Sequence, residues 1–340
     1  MTAADGREIH EAWMSGTIDA STSEPKRHAT RSFAELERAL ADAAGGVEEA
    51  LERLLPEPQG LHFRVHEAMR YAVFAGGKRL RPFLVLSGTY LFGADRARAL
   101  RVAAAIEVLH TYSLVHDDLP CMDDDDLRRG RPTAHVAFDE ATAVLAGDAL
   151  LTIAFEILSA PETHPSGEVR CQLVSKLAEA AGSNGMIGGQ MIDMLATDRV
   201  FDAEDVILLQ RMKTGALFDF SCQAGAILAE AGPEHRTRLR NFARDFGLVY
   251  QITDDLLDVT RSAEKTGKAV GKDKDQGKAT LVSIYGVEGA RAEAEKLARR
   301  AVAVLEPYGQ KANTLRDLTF FLPRLATLMV TIEPPPTVGR

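Results

Sequence analysis

Apolar residues return every three or four positions through most of this chain, the period of a helix with one buried face. The pattern is clear over residues 33–44, 102–115, 143–158, 169–181, 203–210, 217–229, 239–259 and 288–305. Several of these windows are rich in Ala and Leu, which lose little conformational freedom in a helix. Ser32 is placed to cap the first, and Pro323 should interrupt the last helical stretch before the chain ends. Few runs alternate apolar and β-branched positions, so a sheet has little to be built from. The expectation is an all-α fold, with one helical domain over residues 32–332. A polar tail over 1–31, expected to be loosely ordered, and a Pro-rich tail over 333–340 flank it.

Composition narrows the class. The chain has 340 residues, of which 46% are hydrophobic and 26% charged, a globular balance. A formal net charge of −9 argues against a general nucleic-acid binder, which carries a basic excess. Three cysteines, Cys121, Cys171 and Cys222, are odd in number and lack metal-ligand spacing, so the expected compartment is the reducing cytoplasm. The N-terminus shows no apolar run of the secretory type. The most apolar window, 141–158, carries Asp148 at its middle, so no membrane span is expected.

The chemistry is concentrated in two acidic clusters. Six of the ten residues from Asp117 to Asp126 are aspartates: Asp117, Asp118 and the run Asp123, Asp124, Asp125 and Asp126. Far downstream stand Asp254, Asp255 and Asp258, inside an apolar helical window. Asp254 and Asp258 are four apart and share a helix face, with Asp255 roughly 100° away. Carboxylates so close to a core cannot all ionise cheaply, and a hard divalent cation with oxygen ligands would resolve the conflict. The first cluster is less regular. Asp117 and Asp123 would lie about 120° apart around an ideal helix. They converge only if the helix ends or bulges near Pro120. An EF-hand loop is ruled out by spacing, and Asp124 to Asp126 taken alone could be a solvated acidic run.

Each acidic cluster has a basic companion. Gly76-Gly77-Lys78-Arg79-Leu80-Arg81-Pro82 places three cations in a Gly-rich turn, and Arg128-Arg129-Gly130-Arg131 follows the first cluster. Lys265, Lys268, Lys272, Lys274 and Lys278 follow the second. Metal-type acids beside basic loops, occurring twice, suggest two anionic ligands. No Walker pattern, kinase set or dinucleotide fingerprint is present. The Gly185-Met186-Ile187-Gly188-Gly189 segment reads as a close helix approach, with Gln190 and Asp193 towards a cavity.

These motifs (GGKRLRP, LHTYSLVHDDLPCMDDDDLRRGRPTAH, AVLAGDAL, GMIGGQMID, MKTGALF, YQITDDLLD and GKDKDQGKAT, in that order) resemble the trans-polyprenyl diphosphate synthases, and among them the bacterial farnesyl type. The resemblance implies an isoprenoid synthase-type helical bundle around a deep central cavity, usually a homodimer with three Mg²⁺ ions. It implies Asp117, Asp118, Asp123, Asp254, Asp255 and Asp258 as the metal-binding set. Lys78, Arg81, His110 and Arg129 resemble contacts to isopentenyl diphosphate, and Arg128, Lys213 and Lys268 contacts to the allylic diphosphate. Lys213, Thr214 and Gln251 resemble the groups facing the developing carbocation. Tyr112, with Ser113 beside it, lies before Asp117 where a large ring could floor the cavity. With the two-residue insertion in the first motif, this resembles the fifteen-carbon product type. The geranylgeranyl type, of the same chemistry, is the neighbouring alternative.

Two departures from the pattern stand out: Tyr250 replaces the usual Phe before Gln251, and the stretch from Thr319 to Pro323 does not match the usual C-terminus. A terpene cyclase would not need GGKRLRP or the His110 and Arg129 set. A non-catalytic partner subunit tends to lose the Asp clusters, which are intact here.

Overall fold

A computed structural model describes residues 24–196, 201–266 and 280–330. Among the described residues the only strands form a two-residue-per-arm hairpin, and the rest of the regular structure is helical. The chain divides into two compact units. The first holds the described residues up to Ser175 together with Ala224–Glu230, and the second holds Lys176–Gln223 with the residues from Ala231 onward.

In the first unit the helices are α1 (Glu24–Leu54), α2 (Phe63–Val73), α3 (Leu80–Phe92), α4 (Arg96–Asp117), α5 (Ala134–Ala137) and α6 (Glu140–Ser159), followed by the start of α7 (Gly167–Ala181). Helix α1 reaches back to Glu24, so Ser32 lies inside it and is not its cap. Helix α4 is the centre of the unit. It begins at Asp95, whose carboxylate accepts the Ala97 amide at 2.7 Å, and it packs against α1, α3 and α6. Every residue from Val102 to Leu109 is buried, as a helix surrounded by other helices requires. Helix α3 is likewise apolar nearly all round and carries no amphipathic signature, which is why periodicity alone does not reveal it.

Helix α6 is long and apolar enough to cross a membrane by length and composition, with a mean hydropathy of 1.7. Its small-residue side, Ala143, Ala146, Gly147, Leu150 and Ala154, is buried within the unit. The His116 ring of α4 lies against it, 3.0 Å from the Val144 carbonyl. Its other side, with Val144 and Leu145, is exposed.

The second unit contains α8 (Met186–Leu195), α9 (Ala203–Gln210), a π-helical turn (Arg211–Gly215), the first part of α10 (Ala216–Leu228), α11 (Pro233–Thr266), α12 (Leu281–Val304) and α13 (Asn313–Val330). Helix α11 packs along α12 and α13. Phe218, Phe242 and Phe246 form its aromatic core, with Phe218 edge-on to Phe246 at 5.3 Å and to Tyr250 at 5.1 Å. Tyr250 is thus a packing residue.

Helix α12 starts at a Thr280–Ser283 capping box and is broken at Gly286, whose φ of 70° is not helical. The regular period from residue 288 begins just after that break. Pro323 does not interrupt the last helix; α13 runs through it to Val330. The missing N–H and ring clash cost about 3 kcal/mol. The buried Leu315, Leu318 and Leu322 oppose that cost by fixing the helix against the core.

Candidate active site

In the first unit the acidic loop departs from helical register where Pro120 predicts. Helix α4 ends at Asp117 and the chain folds back on itself. The Asp123 amide donates to the Asp117 carbonyl at 2.8 Å, and the Asp124 amide to the Leu119 carbonyl at 3.2 Å. Asp117 and Asp123 are therefore backbone neighbours despite six intervening bonds of sequence. Asp124 closes the return with a φ of 54°, a left-handed conformation that Asp tolerates better than most residues. Asp117 is half-buried, and Asp123, Asp124, Asp125 and Asp126 are exposed.

Asp118 behaves differently from its neighbours. It is buried, and Arg128 grips it with Nε at 2.7 and 2.9 Å from the two carboxylate oxygens. Burial raises the Asp118 carboxyl above its ordinary range, with the Arg128 bond opposing that shift. The Asp118 carboxylate in turn raises the Arg128 guanidinium's affinity for its proton against the cost of burial. The residue expected beside a metal thus orients a cation expected to meet diphosphate.

The hairpin β1 (Leu127–Arg128) and β2 (Arg131–Pro132) presents that cation. Such a short hairpin has no stability of its own. It is held by contacts that the sequence does not advertise. Tyr71 of α2 donates its hydroxyl to the Pro132 carbonyl at 2.7 Å, and its ring lies 4.4 Å beneath the Arg131 guanidinium. Thr133 donates to the Asp125 carbonyl at 2.8 Å. Arg129, at the hairpin turn, crosses Gly77: a Cβ there would stand 2.7 Å from its guanidinium. Gly77 also has a φ of 147°, and it is this conformation that requires glycine, since the Arg129 guanidinium could swing aside.

Arg81 meets His110 of α4, Nη1 to Nε2, at 3.2 Å. Guanidinium can only donate, so His110 Nε2 accepts and is unprotonated. Burial, followed by Arg81, Arg129, Arg128 and Arg79, holds the imidazole well below its ordinary pKa. Lys78 is exposed on the same Gly-rich turn. Tyr112, two residues after His110, is buried and packs edge-on to His116 at 5.5 Å. Burial, then Asp117 and Asp148, pushes its phenol up to about 12. Ser113 donates its hydroxyl to the His110 carbonyl at 2.8 Å.

The second unit has its own constellation. The π-helical turn adds a residue to the ladder and carries Lys213 and Thr214. The Lys213 ammonium bonds Asp193 at 2.6 Å. The Thr214 hydroxyl donates to Gln251 Oε1 at 3.2 Å, and Gln251 Nε2 donates to Asp255 at 2.9 Å. Helix α8 comes very close to the turn, for a Cβ on Gly189 would fall 2.2 Å from the Lys213 amide nitrogen. That is the close approach expected of the Gly185–Gly189 segment. The side-chain amide of Gln190 is buried with neither nitrogen nor oxygen hydrogen-bonded.

Asp254, Asp255 and Asp258 project from regular α11, with Asp258 exposed and the others half-buried. Burial, reinforced by Asp254 and Asp258, pushes the Asp255 carboxyl up to about 6, against the opposing Gln251 bond. Its second oxygen is buried without a hydrogen-bond partner. No group of three or more acidic, His or Cys side chains converges into a ready metal cage among the described residues. The donor set nevertheless suits a hard cation, since a buried, orphaned carboxylate oxygen among repelling carboxylates is an oxygen ligand awaiting positive charge. Lys268, expected to grip the allylic diphosphate, lies outside the described residues, as do Lys272, Lys274 and Lys278.

Residues 62–315 match the family model for polyprenyl synthetase. The chain belongs to this family. It is a trans-polyprenyl diphosphate synthase, a prenyltransferase that acts on isoprenyl diphosphates. It is 45% identical over 256 residues to a farnesyl diphosphate synthase of Bacillus subtilis, covering 74% of this chain and 85% of that one. It is 43% identical over 284 residues to a chloroplastic geranylgeranyl pyrophosphate synthase of Catharanthus roseus, covering 82% of this chain and 78% of that one. Among solved structures, an apo FPP/GFPP synthase from Zymomonas mobilis superposes with a TM-score of 0.76 at 45% identity. That match covers 87% of this chain and 99% of the other. The names of the synthase's relatives therefore divide by product length, while its family and all-α fold are common to them.

Proposed function

We propose that the chain is a Mg²⁺-dependent farnesyl diphosphate synthase, joining isopentenyl diphosphate first to dimethylallyl and then to geranyl diphosphate. The observation that carries the fifteen-carbon reading is Tyr112. Its ring is buried on α4 five residues before Asp117, about 7.5 Å along the helix axis. A chain growing from a diphosphate near Asp117 would meet this ring and stop.

The acidic residues suited to hold Mg²⁺ are Asp117 and Asp123 in one cluster, and Asp254, Asp255 and Asp258 in the other. These carboxylates would hold the cation, which would supply positive charge against the departing diphosphate. Arg128 and Lys213 are assigned to the allylic diphosphate with Lys268; Lys78, Arg81, His110 and Arg129 to the isopentenyl diphosphate. Neutral His110 contributes a hydrogen bond without adding charge. In the reaction the allylic C–O bond breaks and diphosphate leaves. The double bond of isopentenyl diphosphate supplies the electron pair for the new C–C bond, and a proton is lost from its second carbon to the released diphosphate. The Lys213 backbone, Thr214 and Gln251 supply oxygen dipoles towards the positive carbon, and exclusion of water keeps it from being hydrated.

A homodimer, which the family resemblance implies, belongs to the same reading. The free thiols of Cys121 and Cys171, exposed to solvent, support a reducing cytoplasm.

The test is a product assay by chromatography with both diphosphates and Mg²⁺. Farnesyl diphosphate as the main product is expected, and Tyr112→Ala should lengthen it. A twenty-carbon main product from the unaltered protein favours the geranylgeranyl reading, which several relatives' names also support. Unchanged products from Tyr112→Ala sink the floor assignment.

A further inference from the structure

Between Lys78 and Arg81 stands a third cation that faces the other way. Arg79 is 3% exposed and adopts a left-handed φ of 46° at the N-cap of α3. Its guanidinium reaches three helices. Nη1 donates to Glu107 of α4 at 2.6 Å, Nη2 donates to the Val73 carbonyl at the end of α2 at 2.8 Å, and Nη2 lies 3.8 Å from Glu48 of α1. Glu107 is itself 3% exposed, so this is a buried ion pair.

An unusual backbone conformation and a buried charge both carry a cost, and a hydrophobic pair could hold the helices as well. What a hydrophobic pair could not do is aim the turn. Glu107 and His110 are three apart on α4 and share a face. Glu107 anchors Arg79 and His110 meets Arg81 at 3.2 Å. Asp117 follows on the same stripe, at seven residues from His110. One face of α4 thereby sets the Gly76–Arg81 turn at two points and continues to the acidic loop.

We infer that the buried Arg79–Glu107 pair is the positioning device for the isopentenyl diphosphate arm. By pinning Arg79 inward it fixes the directions taken by the flanking Lys78 and Arg81, and it leaves the allylic arm alone. The inference rests on the assignment of Lys78, Arg81 and His110 to isopentenyl diphosphate made above. Arg79 and Glu107 touch no substrate in this scheme and act only through their neighbours.

The experiment measures the dissociation constants of isopentenyl diphosphate, and of dimethylallyl diphosphate with Mg²⁺, by calorimetry on the full chain, alongside steady-state KM and kcat. Three variants are compared: the hydrophobic double variant Arg79→Met/Glu107→Leu, the single variant Glu107→Ala, and Glu107→Gln, which keeps an acceptor for Arg79. Expected is a loss of isopentenyl diphosphate affinity of at least tenfold, about 1.4 kcal/mol, in the double variant and in Glu107→Ala. Dimethylallyl diphosphate affinity and kcat should stay within about threefold. Glu107→Gln should restore isopentenyl affinity towards the unaltered value. If the double variant does not fold, the contrast between Glu107→Ala and Glu107→Gln decides.

Unchanged isopentenyl diphosphate affinity in folded variants overturns the inference, as does equal loss of both affinities. An unaltered protein that binds isopentenyl diphosphate but forms no product refutes the synthase assignment and leaves the positioning test standing. An unaltered protein that binds neither diphosphate overturns both.

Discussion

The Asp123 amide hydrogen-bonds the Asp117 carbonyl at 2.8 Å, so these two aspartates of the first acidic cluster are joined through the backbone. A regular helix would hold them on different faces. The return begins at Leu119, whose carbonyl accepts from both Met122 and Asp124, and passes through the left-handed Asp124. These backbone bonds hold the loop in one return and so lower the entropy cost of ordering the carboxylates it carries.

The loop predicts unequal roles for adjacent aspartates. Asp123→Asn should lower kcat/KM by at least tenfold and raise the Mg²⁺ concentration needed for half-maximal rate. Asp124→Gly should retain activity, because glycine adopts positive φ freely. Asp124→Val should lower stability by about 1–2 kcal/mol, the cost of a left-handed branched residue. Kinetics against Mg²⁺ concentration together with thermal melting separates the two effects. Equal loss of activity in Asp123→Asn and Asp124→Gly would remove the distinction.

His110 sets a pH dependence with a definite sign. Its folded pKa lies well below 6.5, so on acidification the unfolded chain takes up a proton that the folded chain refuses. Stability tied to this residue is present above pH 6.5 and is lost as pH falls below it towards the folded value. Protonation would also turn Nε2 into a donor facing the Arg81 guanidinium. Melting temperatures across pH 5–8 should therefore fall more steeply on the acid side in the unaltered protein than in His110→Gln. Parallel profiles would contradict the assignment of the shift to His110.

Gly189 admits no side chain, since its Cβ position is 2.2 Å from the Lys213 amide nitrogen. Gly189→Ala should push α8 from the π-helical turn, with an overpacking cost of about 1–3 kcal/mol. It should disturb the 2.6 Å contact from Lys213 to Asp193 and lower kcat more than tenfold. Asp193→Asn, which keeps an acceptor for Lys213 without altering backbone packing, should cost activity with little change in melting temperature. A fully active Gly189→Ala protein would show that the close approach is dispensable.

Much of this was legible from residue order alone where local physics dominates. The amphipathic windows gave helices, and the four-residue spacing in Asp254–Asp258 gave a regular acidic face. Pro120 signalled the break that lets Asp117 and Asp123 meet. The failures have local causes too. Pro323 and Ser32 carry breaking and capping tendencies worth a few kcal/mol at most, and burial of α13 and extension of α1 override them. Helix α3 leaves no periodic mark in the sequence, because a helix buried nearly all round has no polar face.

By itself, then, the sequence determined the chemistry available: which groups are acidic, which are basic, and which segments become helices. The tertiary structure decided what each group faces. Arg79 stands between Lys78 and Arg81 in one basic run, yet only the fold turns it inward to Glu107. Asp118 stands beside Asp117, yet only the fold gives it to Arg128, and Tyr71 joins the hairpin from a helix whose sequence carries no motif. The physical reason is range. Propensity and periodicity act over a few residues, whereas burial and ion pairing depend on neighbours that the chain brings together from far apart in sequence.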